Sequence, residues 1–152
     1  LLALPSSGLH SNGFSLARAV IKKLGLDLNS DFSGKALIDV LLEPTRIYVD
    51  EFLRLKEHIH ALAHITGGGV SENLPRVLPA GLGARIQKSK IKTPEIFKLL
   101  AREVSQSEME RTFNCGIGMI LIASSQNANE ILANSDAYEI GEIIAGNGVE
   151  YI

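Results

Sequence analysis

Apolar positions along this chain recur at two different periods, and each change of period marks an element. Leu1 to Leu4 is unbroken apolar sequence and predicts a strand ending at Pro5. The polar, glycine-bounded run Ser6–Gly13 follows. Phe14, Leu16, Ala17, Val20, Ile21 and Leu24 then recur at helical spacing, with Gly25 where a helix would stop. Asp27–Lys35 reads as a connection and Ala36–Leu42 as a short apolar piece. Ile47, Val49, Phe52, Leu53 and Leu55 predict a helix from about Arg46 to Glu57, with Thr45 as its N-cap. His60–Ile65 predicts a short strand running into Thr66-Gly67-Gly68-Gly69, and Val70–Leu78 a helix interrupted by Pro75.

Leu82–Gln87 is the next expected strand, and Thr93-Pro94 should open a helix through about Arg102. Ser107-Glu108-Met109-Glu110 matches the S-x-x-E capping box and should start another. Ile117–Ala123, apolar and preceded by glycines, fits a buried central strand, and Ser125 to about Ala133 a further helix. Tyr138–Ala145 and Val149–Ile152 flank Asn147-Gly148, the dipeptide of tight hairpin turns, so a terminal hairpin is expected. Strands alternating with helices point to an α/β or α+β domain, a mixed β-sheet with helices packed on it.

The 152 residues suit one domain, and no internal repeat divides them. No apolar run approaches the roughly 18–20 residues that span a bilayer, so a membrane is not expected. A net charge of −2 supplies no field for holding nucleic acid. The single cysteine, Cys115, excludes an internal disulfide framework and, with no basic leader at the start, sets a cytoplasmic expectation. Because the chain opens directly on a strand at Leu1, further chain is expected upstream.

Candidate chemistry concentrates in two glycine loops. Gly8-Leu9-His10-Ser11-Asn12-Gly13 stands ahead of a predicted helix whose first N–H groups lack partners and carry about half a positive charge, which suits an anion. The spacing approaches a nucleotide P-loop, but Phe14 stands where that motif requires lysine, which excludes β/γ-phosphate binding of that type. A smaller anion such as a phosphate monoester, held by backbone amides, Ser11 and Asn12, remains. So does a plain strand-to-helix turn capped by Ser11 or Asn12.

His64-Ile65-Thr66-Gly67-Gly68-Gly69 repeats this logic, again with a strained turn as the alternative. His10 and His64 adjoin the loops, where imidazole can donate to phosphate or move a proton. His60 and His64 lie about 13 Å apart on a strand, too far to share a metal, and no metal site is expected. His58 and His60 read as surface groups. Arg46, placed by this reading in the first turn of its helix, opposes the macrodipole, and is either aimed at an anion or turned to solvent. Cys115 has no nearby cation or histidine in sequence to activate it and reads as structural.

Four blocks in order, Pro5–Gly13, Leu41–Val49, His64–Pro79 and Arg111–Met119, closely resemble the aminoimidazole ribonucleotide synthetase (phosphoribosylformylglycinamidine cyclo-ligase) family, over essentially the whole chain. The resemblance implies a single carboxy-terminal, substrate-binding domain over residues 1–152, with the amino-terminal ATP-binding domain outside this chain. It implies ATP-dependent closure of formylglycinamidine ribonucleotide to aminoimidazole ribonucleotide in purine synthesis, with ATP and Mg2+ bound mainly by the other domain and a homodimer when full length. Substrate contacts would fall on Gly8, Ser11, Asn12, Gly13, Thr45, Arg46 and Thr66–Gly69, with His10 and His64 as catalytic candidates. Two alternatives stay open: a non-catalytic phosphate-ligand or interaction module, and a small-molecule kinase of the same superfamily.

Overall fold

A computed structural model describes residues 1–152. Its first sheet has four strands: β1 (Leu2–Pro5), β4 (Ala61–His64), β6 (Ile117–Ile122) and β7 (Tyr138–Glu139), in the order β4-β6-β1-β7. Every pairing in it is antiparallel, with Leu2 opposite Leu121, Ala3 opposite Ile120 and Ala63 also opposite Ile120. The two-residue period divides these strands between two cores. Ala3, Ala63 and Ile120 face Ala84 and Ile86 of a second sheet, while Leu2, Leu4 and Leu121 face Tyr48, Leu55 and Ile131. Both faces are covered, which is why β1 and β6 carry continuous apolar runs despite antiparallel pairing.

The helices are α1 (Phe14–Lys23), α2 (Leu37–Leu41), α3 (Val49–Leu55), α4 (Gly69–Asn73), α5 (Glu95–Leu100), α6 (Gln106–Thr112) and α7 (Ser125–Ala133). A third core joins Ala17, Val20 and Ile21 of α1 to Leu37 and Leu41 of α2, four apolar residues of α5, Met109 of α6, and Phe113. Asp31–Phe32 (β2) and Lys35–Ala36 (β3) pair as a two-stranded ribbon inside the expected connection. Pro75 ends α4 as expected, and Leu74–Val77 continues as a 3-10 turn.

Four local expectations are corrected. Arg46 and Thr45 lie outside any helix: Glu43–Tyr48 is an irregular strap, and α3 begins only at Val49, with Tyr48 as N-cap and no side-chain cap. Pro44 disfavours helical backbone at Glu43, and the Arg46 N–H is taken by Ser7 Oγ at 3.1 Å, so the strap lies along the first glycine loop instead of coiling. Neither Ser11 nor Asn12 caps α1, whose N-cap is Gly13, without a side-chain cap. The capping box of α6 is the overlapping one two residues earlier, where Ser105 Oγ accepts from the Glu108 N–H at 3.4 Å.

The fourth correction is topological. β8 (Gly141–Ala145) and β9 (Val149–Tyr151) flank Asn147-Gly148 but do not pair with each other. β5 (Leu82–Ile86) lies between them, antiparallel to β8 and parallel to β9. The link from β8 to β9 crosses β5 at Gly83, where a Cβ would stand 3.0 Å from the Gly148 carbonyl oxygen and 3.2 Å from the Asn147 backbone. A glycine there lets the strand slip in, and Ala84 and Ile86 become fully buried between the sheets. Gly83→Val should therefore cost about 2–3 kcal/mol through backbone collision, measured by urea unfolding against the parent chain.

Candidate functional site

β1, β4 and β6 end at the same edge of the first sheet. β1 releases the Ser6–Gly13 loop, β4 releases Thr66–Gly69, and Asn114–Gly116 enters β6 between them. The loops are held by a buried amide that sequence reasoning missed. Asn114 Nδ2 donates to the Gly8 carbonyl at 2.9 Å, while its Oδ1 accepts from Ser6 Oγ at 2.9 Å and from the Gly116 N–H at 2.8 Å. Asn73 does the same for the second loop, its Nδ2 donating to the carbonyls of Gly67 at 3.1 Å and Gly69 at 2.7 Å. Thr66 Oγ1 meets Asn73 Oδ1 at 3.3 Å.

The expected residues converge in part. Asn12 packs on Gly67, where a Cβ would lie 3.2 Å from Asn12 Oδ1, so the two loops touch. Ser11 and Thr45 hydroxyls are 3.5 Å apart. Behind the loops, Gly13 (φ 75) sits on the Phe113 ring and Gly69 (φ 59) against the Glu110 carbonyl, each too close for any side chain. Gly68 has φ 94 beside Glu72. His58 and His60 stand apart on the approach to β4.

Tyr48 brings the two histidines into one cluster, with ring centroids 6.3 Å from His10 and 6.2 Å from His64. Its hydroxyl donates to the Pro5 carbonyl at 2.8 Å and occupies the space a side chain at Gly118 would need. Burial pushes its pKa up to about 12, which keeps it a donor. His10 is buried and His64 exposed. Burial, and secondarily the neighbouring His64, lowers the His10 pKa and favours the neutral ring.

Arg46, expected to meet an anion, is engaged within the fold. It bonds both oxygens of Asp136, at 2.7 and 2.9 Å, and Glu51 at 2.5 Å, and lies 5.1 Å from the Tyr48 ring centre. Its charge thus fastens the strap to α3 and to the segment before β7. Hydrogen bonds from Arg46 hold both carboxyls below their usual range, and the same pairs raise the guanidinium pKa.

Cys115 fits its structural reading: burial pushes the thiol up to about 12 and its Sγ–H donates to the Met109 carbonyl. A mainly apolar cleft of about 310 Å³ shares Phe113 with the underside of the first loop. The Lys88 and Glu110 charges on its wall pair with each other at 2.8 Å. No three His, Cys, Asp or Glu side chains converge as metal ligands, and neither glycine loop contains a lysine.

All of residues 1–152 match the family described as AIR synthase related protein, C-terminal domain. The chain belongs to this family. The AIR synthase related domain is 48% identical, over 99% of its length, to a protein of Vigna unguiculata named phosphoribosylformylglycinamidine cyclo-ligase, chloroplastic/mitochondrial. It is 50% identical, over 94% of its length, to the phosphoribosylformylglycinamidine cyclo-ligase of Geotalea daltonii. It spans 42% and 44% of those proteins, less than half of each. Among solved structures, thiamine-monophosphate kinase of Stenotrophomonas maltophilia superposes with TM-score 0.66 at 17% identity, covering 97% of the domain and 48% of that chain. A hydrogenase maturation protein of E. coli gives TM-score 0.62 at 17% identity, covering 99% of the domain and 46% of that chain. These two share the fold, which the AIR synthase related domain carries with the glycine loops at one sheet edge.

Arg46→Met should destabilise the domain by about 2 kcal/mol at pH 7, since it leaves Glu51, largely shielded, without its partner. Carboxyls with depressed pKa values contribute stability above their unfolded pKa and lose it as pH falls through the folded value. The gap between Arg46→Met and the parent should thus narrow as pH drops below about 4, read from urea midpoints across the pH range.

Proposed function

We propose that this domain is the substrate-holding half of a ligase that closes formylglycinamidine ribonucleotide to aminoimidazole ribonucleotide in purine synthesis. The observation that carries the reading is the contact of the two glycine loops at Asn12 and Gly67, beside the His10–Tyr48–His64 cluster. Near 50% identity to proteins named for this reaction supports it, whereas the likeness to a kinase extends only to the fold.

The first N–H groups of α1 and the amides of Ser11–Gly13 suit the phosphate of a ribonucleotide. The Gly67–Gly69 backbone suits a close approach by ribose or amide. Ring closure between parts of one substrate asks for positioning and for donors at a developing charge more than for a covalent nucleophile. His10 and His64 are the groups able to donate to the reacting amide or exchange its protons. Ser11 and Thr45 line the same edge, and Arg46 holds the strap that carries Tyr48.

ATP with magnesium would supply the activating phosphoryl group for the formyl oxygen, and we assign both to the remainder of the longer protein. Its working compartment is read as reducing, the cytoplasm by default, and its assembly as a homodimer. Joined to the remainder of the Geotalea daltonii relative, the domain should support ATP-dependent ring closure. Asn12→Asp or Gly68→Val should lower kcat/KM at least a hundredfold, about 3 kcal/mol of transition-state stabilisation. Full activity in both variants, by product mass analysis, would remove the cradle assignment.

That remainder needs a docking face. Leu42, Ile47, Val49, Phe52 and Leu53 are exposed within twelve residues of one another, Ile47 at 79%, an apolar concentration of the kind that marks an interface. We assign it to the remainder of the longer protein, more than half of each cyclo-ligase compared. Ile47→Asp with Leu53→Asp should weaken association of the separately produced halves at least tenfold by calorimetry, with the isolated domain's unfolding midpoint little changed.

A further inference from the structure

His10 carries two local costs that the fold does not recover. Its backbone is left-handed, φ 58, in a residue with a Cβ. Its Nδ1 is buried with no hydrogen-bond partner, in a residue only 5% exposed. The other nitrogen is committed, since the Ser7 N–H donates to Nε2 at 3.1 Å. A nitrogen that accepts from an amide cannot itself carry the proton of a neutral imidazole, so that proton belongs on Nδ1.

We propose that His10 is a neutral hydrogen-bond donor, giving its Nδ1–H to an acceptor-only oxygen, phosphoryl or carbonyl, of a ligand held between the two glycine loops. Because Nδ1 is buried, that oxygen can reach it only if the Gly8–Gly13 segment, with left-handed His10 and Gly13, gives way on binding. The inference rests on the ligand-holding reading of these loops and sharpens it: His10 does not exchange protons, and that role falls to the exposed His64. Tyr48, whose hydroxyl donates to the Pro5 carbonyl at 2.8 Å, stands with its ring centre 6.3 Å from that of His10 and makes no hydrogen bond to Nδ1. The groups around the cluster are His64 on β4, Tyr48 on the strap, and Arg46 with Glu51 and Asp136 behind Tyr48. Burial and His64 both disfavour a charged ring.

Long-range proton–nitrogen spectra of the 15N-labelled 152-residue chain at pH 7 should give a protonated-nitrogen shift at Nδ1 and a bare-nitrogen shift at Nε2. Inorganic phosphate tests the phosphoryl arm and N-formylglycinamide the carbonyl arm; a saturable shift of the Nδ1 proton with either identifies the acceptor. A proton on Nε2, or no movement of the Nδ1 proton with either probe, would overturn the proposal.

Asparagine places an N–H near Nδ1 and tolerates left-handed backbone, whereas glutamine reaches toward the Nε2 position. In the joined protein, His10→Asn should stay within about tenfold of parental kcat, and His10→Gln should lose about 10²–10³, with similar KM. Equal loss in both variants, with folds intact by circular dichroism, would also overturn it. An inactive joined parent would count against the ligase reading alone, because the nitrogen shifts require no turnover.

Discussion

The antiparallel pairing of β1 with β6, extended beyond the sheet by the Asn114 side chain, is the constraint on which the candidate site depends. Asn114 spends its carboxamide on Ser6, Gly8 and Gly116, so the chain leaving β1 and the chain entering β6 are clamped together. Such a buried amide stabilises only when its donors and acceptors are met, and a partial network would cost more than an apolar residue. Phe113, one residue earlier, fills the space under Gly13, and the Glu110 and Phe113 carbonyls lie against Gly69. One short stretch at the end of α6 thus sets the height of both glycine loops.

The strap from Glu43 to Tyr48 closes the other side. Arg46 anchors it through two carboxylates, and Ser7 Oγ joins it to the first loop by donating to the Pro44 carbonyl at 2.6 Å and accepting from the Arg46 N–H. Tyr48 is thereby held between the two histidines. A charge that sequence position alone offers to a ligand is used to position the groups that would meet it. Stability and function are therefore coupled at this point, since loosening Arg46 frees Tyr48 and with it the packing of His10.

What the sequence by itself determined is local. The period of apolar residues located β1, α1, β5, β6 and α7, and Pro75 and Gly25 ended helices where they stand, because backbone restrictions act on the residue that carries them. The two loops were legible as glycine loops between strand and helix, and the four blocks carried the family.

Only the tertiary structure decided the rest, because it depends on which segments meet across long stretches of chain. β5 inserts between β8 and β9, overriding the turn preference of Asn147-Gly148, since burying Ala84 and Ile86 against the first sheet outweighs one favourable turn. Arg46 finds Asp136 ninety residues away, and no local rule could assign that pair. Asn114 reads as a polar residue before a strand until Gly8 appears beside it. Tyr48 falls within an expected helix, with nothing to single it out, until the strap lays it between His10 and His64. Hydrophobic period reports which face of an element is buried, but not against what, and a site assembled from three strand ends and a strap is set by that second fact.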